Sequence, residues 1–158
     1  PDSHDALHDT VRNECLWGAL LAGGAGVEWY FGYRYPHTDL TCEDFRSRHN
    51  WWKQSAIATQ FIRQFPLEEM QPNNSLVNAK GAFCLEKPGE ICLVYLPAGT
   101  QDAKISLPGG KTFSVKWFNP REGGDVQNGT VTSIQGNGFV SVGNPPVDLD
   151  KDWVVVVR

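Results

Sequence analysis

Leu20-Leu21-Ala22-Gly23-Gly24-Ala25-Gly26-Val27-Glu28-Trp29-Tyr30-Phe31-Gly32-Tyr33 decides how the first part of this 158-residue chain is read. Leu20 to Ala22 close a helical pattern. Gly23-Gly24-Ala25-Gly26 cannot continue it, because glycine loses the most backbone entropy on entering a helix. Val27 to Phe31 then predicts a short strand, apolar on both faces as in a buried parallel sheet. Helix, tight glycine turn and buried strand form half of an alternating α/β unit. Upstream, residues 4–22 predict a helix capped by Ser3 or Asp5, with Leu7, Val11, Cys15 or Leu16, and Ala19 on one apolar face. Downstream, Gly32 to Leu40 reads as a loop. A second helix is expected from about Glu43 to Phe65, with Phe45, Trp52, Ala56, Phe61 and Phe65 among its apolar positions, stopped by Pro66.

Composition changes after Pro66. Segments 81–86, 90–96, 102–107, 112–118, 130–135, 138–142 and 152–157 are short and β-prone, separated by Pro-Gly, Gly-Gly, Gly-Asn-Gly and Asn-Pro-Pro signals. This spacing predicts a small antiparallel β-sandwich over 66–158. Trp153-Val154-Val155-Val156-Val157 is apolar on both faces, so it should be a central strand. The whole is α+β. Two helices and one strand cannot close a core, so residues 1–65 must pack on the downstream strands, on a further N-terminal region or on another chain.

The net charge of −4 and the scattered Lys and Arg argue against a nucleic-acid surface. No stretch approaches the roughly 18 apolar residues that span a membrane. The opening Pro1-Asp2-Ser3-His4 is polar and does not read as a signal peptide, as expected of a mature or clipped form. None of Cys15, Cys42, Cys84 and Cys92 forms a CxxC pair, so no zinc site is expected. Cys84 and Cys92 flank the turn Lys87-Pro88-Gly89-Glu90 and are read either as a cross-strand disulfide or as two buried thiols. Trp117 and Trp153 are expected to anchor the sandwich core. No phosphate loop, dinucleotide fingerprint or Ser/His/Asp set is present, and no cofactor is expected. His4 and His8, at helical spacing beside Asp5 and Asp9, lack the third ligand of a metal site and read as a solvated helix start.

The candidate chemistry sits at the expected strand 27–31. Glu28 is a carboxylate among Trp29, Tyr30 and Tyr33, with His37 in the loop beyond. Aromatic faces stack on the C–H faces of sugar rings, so this group suits a carbohydrate cleft. Alternation puts Glu28 and Tyr30 on one side and Trp29 and Phe31 on the other. Trp29 or Tyr33 is then the platform, and Glu28 either meets the sugar or is held inside by an arginine. Trp51 and Trp52 are adjacent, so one should turn inward and the other toward the second domain.

The run from Leu16 to Tyr33, followed by Asp39-Leu40 and Glu43-Asp44-Phe45-Arg46-Ser47-Arg48, resembles the last helix-to-strand turn and closing helix of a glycoside-hydrolase-type (β/α)₈ barrel. Gly81-Ala82-Phe83-Cys84-Leu85, Val94-Tyr95-Leu96-Pro97, Val115-Lys116-Trp117-Phe118-Asn119-Pro120-Arg121 and Asp152-Trp153-Val154-Val155 resemble the collagen-binding-type domain that follows such barrels in bacteria. The resemblance implies residues 1–65 as the C-terminal fragment of a barrel and 66–158 as an accessory sandwich. It implies a secreted or periplasmic protein, a carbohydrate substrate, and collagen or polysaccharide as further partners. The main catalytic carboxylates would lie upstream of Pro1. Glycoside hydrolysis uses two carboxyls, roughly 5–5.5 or 6.5–9.5 Å apart. Glu28 alone is expected not to suffice, and substrate contacts fall to Trp29, Tyr30, Tyr33 and His37.

Overall fold

A computed structural model describes residues 7–29, 46 and 49–158. The C-terminal part contains eight strands: β1 (Gln71–Pro72), β2 (Phe83–Lys87), β3 (Ile91–Leu96), β4 (Lys104–Leu107), β5 (Thr112–Phe118), β6 (Ser133–Gln135), β7 (Gly138–Ser141) and β8 (Trp153–Val157). Six form an antiparallel sheet in the order β1-β2-β3-β8-β5-β6, and β4 pairs with β7 in a second, two-stranded sheet. The β-prone segments read from the sequence correspond to β2 through β8. As expected, β8 is central, between β3 and β5.

Its sequence explains why. A run of β-branched valines favours the extended chain. Both faces of the run are apolar, so both must be covered. Trp153, Val155 and Val157 face one core with Cys84, Cys92, Val94, Val115 and Trp117, closed by Ile105, Leu107 and Val142 from the β4–β7 side. Val154 and Val156 face a second core with Leu85, Leu93, Tyr95 and Phe118. Trp117 and Trp153 are buried, and their rings meet edge to face at 6.3 Å.

The second core is closed by helices. The first helical segment comprises α1 (Asp9–Val11), a π-helical turn (Arg12–Leu16) and α2 (Trp17–Leu21); α3 follows at His49–Ile62. Leu16, Trp17, Leu20, Leu21, Ala58, Phe61 and Ile62 bury against the large sheet. Trp17 stacks on Tyr95 at 6.0 Å, and Phe61 stacks on Phe118 at 3.9 Å. The large sheet is therefore covered by the small sheet on one face and by helices on the other. Among the described residues, the sheet covers Leu16, Trp17, Leu20, Leu21, Ala58, Phe61 and Ile62, while Leu7 and Trp52 stay exposed. Gly18 allows the close approach of α2 to β2, since a Cβ there would meet the Phe83 ring at 3.1 Å.

Several helical expectations need correction. Leu7 and Ala19 are exposed and Cys15 faces solvent, whereas Arg12, Leu16, Trp17, Leu20 and Leu21 are buried. The buried His8, Arg12, Leu16 and Leu20 lie one residue past the expected positions, an offset already present at His8, before the π turn. On α3, Trp51, Gln54, Ala58, Phe61 and Ile62 face inward, while Trp52 and Ala56 do not. His8 is not solvated. It begins the helix with left-handed backbone (φ 58°), is buried, and meets the Trp51 ring edge-on at 5.0 Å. Residues 27–29 are irregular chain rather than the start of a strand; Tyr30 and Phe31 lie outside the described residues. Among the described residues no helix is long and apolar enough to cross a membrane.

Candidate functional site

Two features of the helical layer bear on function. The first is a buried polar clamp that seats it on the sheet. The Arg12 guanidinium donates to both carboxylate oxygens of Asp152, through Nε at 2.8 Å and Nη2 at 3.0 Å. These side chains are 4% and 1% exposed. The Tyr95 hydroxyl, with its single proton, lies within hydrogen-bonding distance of Asp152 Oδ2 (3.0 Å) and Asn13 Oδ1. Arg121 donates to the Asp152 carbonyl, pairs with Asp148 at 3.2 Å and lies over the Trp153 ring at 5.2 Å. Asp9 pairs with the remaining Arg12 nitrogen. Burial by itself would lower the Arg12 pKa, but hydrogen bonds and charge from Asp152 and Asp9 more than offset it, and the net shift is upward. Burial, then the Asp152 charge, holds the Tyr95 hydroxyl well above the ordinary tyrosine range. A buried charge must be paired and hydrogen-bonded, and Asp152 meets that condition through residues 140 and 57 positions away.

The second feature is a groove of about 520 Å³ between the glycine turn and α3, lined by Trp29, Trp52, Ser55, Thr59, Gln60 and Arg63 among others. Trp29 is half-buried. Its indole nitrogen donates to Ser55 Oγ at 2.8 Å, and its ring tilts against Trp51 at 5.2 Å. Thr59 Oγ1 donates to the Ser55 carbonyl at 2.7 Å, in the i−4 pattern of helical threonines. Trp52 is 40% exposed and lines this groove rather than the sheet. An exposed indole beside hydroxyl, amide and guanidinium groups can stack on an apolar ring face while bonding its hydroxyls.

Glu28 is exposed on irregular chain, not buried on a strand. Trp29 stands in the groove. Tyr30, Tyr33 and His37 lie outside the described residues. Ser55, Thr59, Gln60 and Arg63 were missed. Trp52, Ser55, Thr59 and Arg63 recur at helical spacing, which marks one face. Asp152, placed directly before an all-apolar strand, was the available signal for the clamp. Among the described residues no group of three or more His, Cys, Asp or Glu could hold a metal ion.

Residues 71–158 match the family described as "Putative collagen-binding domain of a collagenase". The chain belongs to that family. Among solved structures, it is similar to a protein titled "Glycoside hydrolase" (16% identity, TM-score 0.50, 66% of this chain and 24% of that one). It is also similar to a glycoside hydrolase family 5 protein from Bacteroides vulgatus ATCC 8482 (17% identity, TM-score 0.53, 67% of this chain and 24% of that one). At this identity the likeness concerns the fold. The chain spans about a quarter of the length of each of these relatives. No curated protein matches it.

Proposed function

We propose that this chain is the C-terminal portion of a secreted bacterial glycoside-hydrolase-like protein. In this reading residues 1–65 complete a (β/α)₈ barrel and supply one wall of a carbohydrate cleft. Residues 66–158 brace that wall as an accessory sandwich and perform no catalysis. The barrel's remaining strands and its main carboxylates belong to an N-terminal region or to another chain. Glu28, Trp29, Tyr30, Tyr33 and His37 stay the candidate contacts, now joined by Trp52.

The observation that carries the reading is that the helices have no core of their own. Their apolar side chains enter the sheet's second core, and a buried ion pair fixes them there. A brace needs such a joint; a freely tethered binding module does not. The test is titration of the full chain with neutral gluco-, xylo- and manno-oligosaccharides, followed by tryptophan fluorescence. The reading expects saturable change with at least one series and about a tenfold weaker affinity in Trp52→Ala. No saturable change with any series, or unaltered affinity in the variant, removes the groove from the account.

The family description favours a second reading, in which the sheet region itself holds collagen or a polysaccharide. Phe139, Val147 and Leu149 are exposed there. Retention of the full chain on collagen or insoluble glycan, lost in Phe139→Ser and kept in Trp52→Ala, would favour it.

A further inference from the structure

We propose that Cys84 and Cys92 form a peroxide-reactive dithiol, in which Cys92 is oxidised first and Cys84 closes a disulfide across the β2–β3 hairpin. The register sets the pair. Cys84 lies opposite Val94 and Cys92 opposite Glu86, so the two cysteines are diagonal neighbours on one face of adjacent strands. Diagonal partners lie about 7–8 Å apart or less, within reach of each other's side chains. Both belong to the core under the β4–β7 sheet, and both are free thiols.

Their surroundings differ. Cys84 is fully enclosed at 0% exposure. Cys92 is 5% exposed and lines a crevice of about 210 Å³ with Leu76, Glu86, Glu90, Ser106 and Phe113. A water molecule's share of liquid volume is about 30 Å³, so a hydroperoxide has room beside Cys92 and none beside Cys84. The neighbouring Cys92, then burial, holds the Cys84 thiol up, and the neighbouring Cys84 favours the Cys92 thiolate. Burial and then the Glu86 charge oppose that thiolate without reversing the net shift. The hairpin ends one pair away, at Lys87 and Ile91, and turns through Gly89 in left-handed backbone (φ 69°). Closing a disulfide between diagonal partners requires the two strands to approach slightly.

The chemistry balances with hydrogen peroxide as the oxidant. The Cys92 thiolate attacks one peroxide oxygen and the O–O bond breaks. The departing hydroxide takes the proton that Cys92 released and becomes water, leaving a sulfenic acid. Cys84 sulfur then attacks the Cys92 sulfur. The S–O bond breaks, and hydroxide leaves with the Cys84 proton as a second water. Two thiols and one peroxide become one disulfide and two waters.

The test uses the full chain with Cys15→Ser and Cys42→Ser, which removes the exposed thiol and the one outside the described residues. Native protein is treated with hydrogen peroxide and its peptides are mapped by mass. Expected is a mass loss of two hydrogens, a linked Cys84–Cys92 peptide and a melting temperature several degrees higher. Cys84→Ser should instead leave a Cys92 sulfenic acid that dimedone traps, and Cys92→Ser should leave Cys84 unreacted. Peptide mapping of the peroxide-treated wild-type chain gives the same linkage readout without any substitution. The proposal is overturned if native thiols stay reduced under conditions that oxidise the unfolded chain, or if oxidation links different molecules.

Discussion

Replacing Asp152 by Ala tests the joint between helices and sheet. The change removes a carboxylate that receives Arg12 Nε and Nη2, Tyr95 Oη and an Arg121 nitrogen. Arg12 keeps one acidic partner, Asp9, which is half-exposed. Removing one member of a buried ion pair costs about 3–5 kcal/mol, because the other charge stays desolvated. For a chain of this length each kcal/mol lowers the melting point by about 2–4 °C, so a fall of about 6–20 °C is expected. Urea unfolding at neutral pH reads the same loss as a lower midpoint. Arg12→Met should cost less, because Asp152 keeps Tyr95 and Arg121 as donors. The double variant Arg12→Met/Asp152→Ala should recover part of the loss, giving a coupling energy above about 1 kcal/mol. A loss under about 1 kcal/mol in Asp152→Ala, or strict additivity in the double variant, would refute the clamp as the seat of the helical layer.

Three further outcomes follow from the geometry. The Tyr95 hydroxyl is held protonated above its unfolded value, so its contribution is complete below about pH 10 and is lost as pH rises beyond that. Tyr95→Phe should therefore lower stability at pH 7 by about 1.5–3 kcal/mol, through the lost bond to a charged acceptor, and flatten the alkaline limb of a pH–melting curve. Gly129→Ala should destabilise by about 1–3 kcal/mol in chemical denaturation, since a Cβ there would meet the Asn144 carbonyl at 2.3 Å and Trp117 Nε1 at 2.4 Å. Trp52→Ala should leave the melting temperature within about 2 °C of wild type, because Trp52 lies outside both cores and surface changes cost within about 0.5 kcal/mol.

The strands were legible because their signals are local. Alternation and two-faced apolar runs of Val, Leu and Ile define where β2 to β8 begin, and Gly or Pro punctuates the turns. The partner of the helical face was less legible. Nothing local in Leu16, Trp17, Phe61 or Ile62 says which surface they meet, and the sheet supplied it through alternate residues Leu93, Tyr95, Val154 and Val156. The π turn was invisible, since Arg12 to Leu16 reads as ordinary helix. The buried face lies one position past the expected one from His8 onward. Of the expected strand 27–31, the described residues 27–29 are irregular chain. A short apolar run becomes a strand only when neighbours pair with it, and the described residues offer none. Of the residues lining the groove, Trp29 and the glycine turn had been singled out from the sequence. The hydroxyl-bearing face of α3 was passed over because the helix was read for apolar positions alone.

The most direct measurement compares the full chain with residues 66–158 produced alone, by calorimetry and dye binding to exposed apolar surface. With one shared joint, the full chain melts in a single transition. The isolated strands melt lower and bind the dye on the face bearing Leu85, Leu93, Tyr95, Phe118, Val154 and Val156. Equal melting temperatures with no dye binding, or two separate transitions in the full chain, would contradict the claim that sheet and helices form one braced unit.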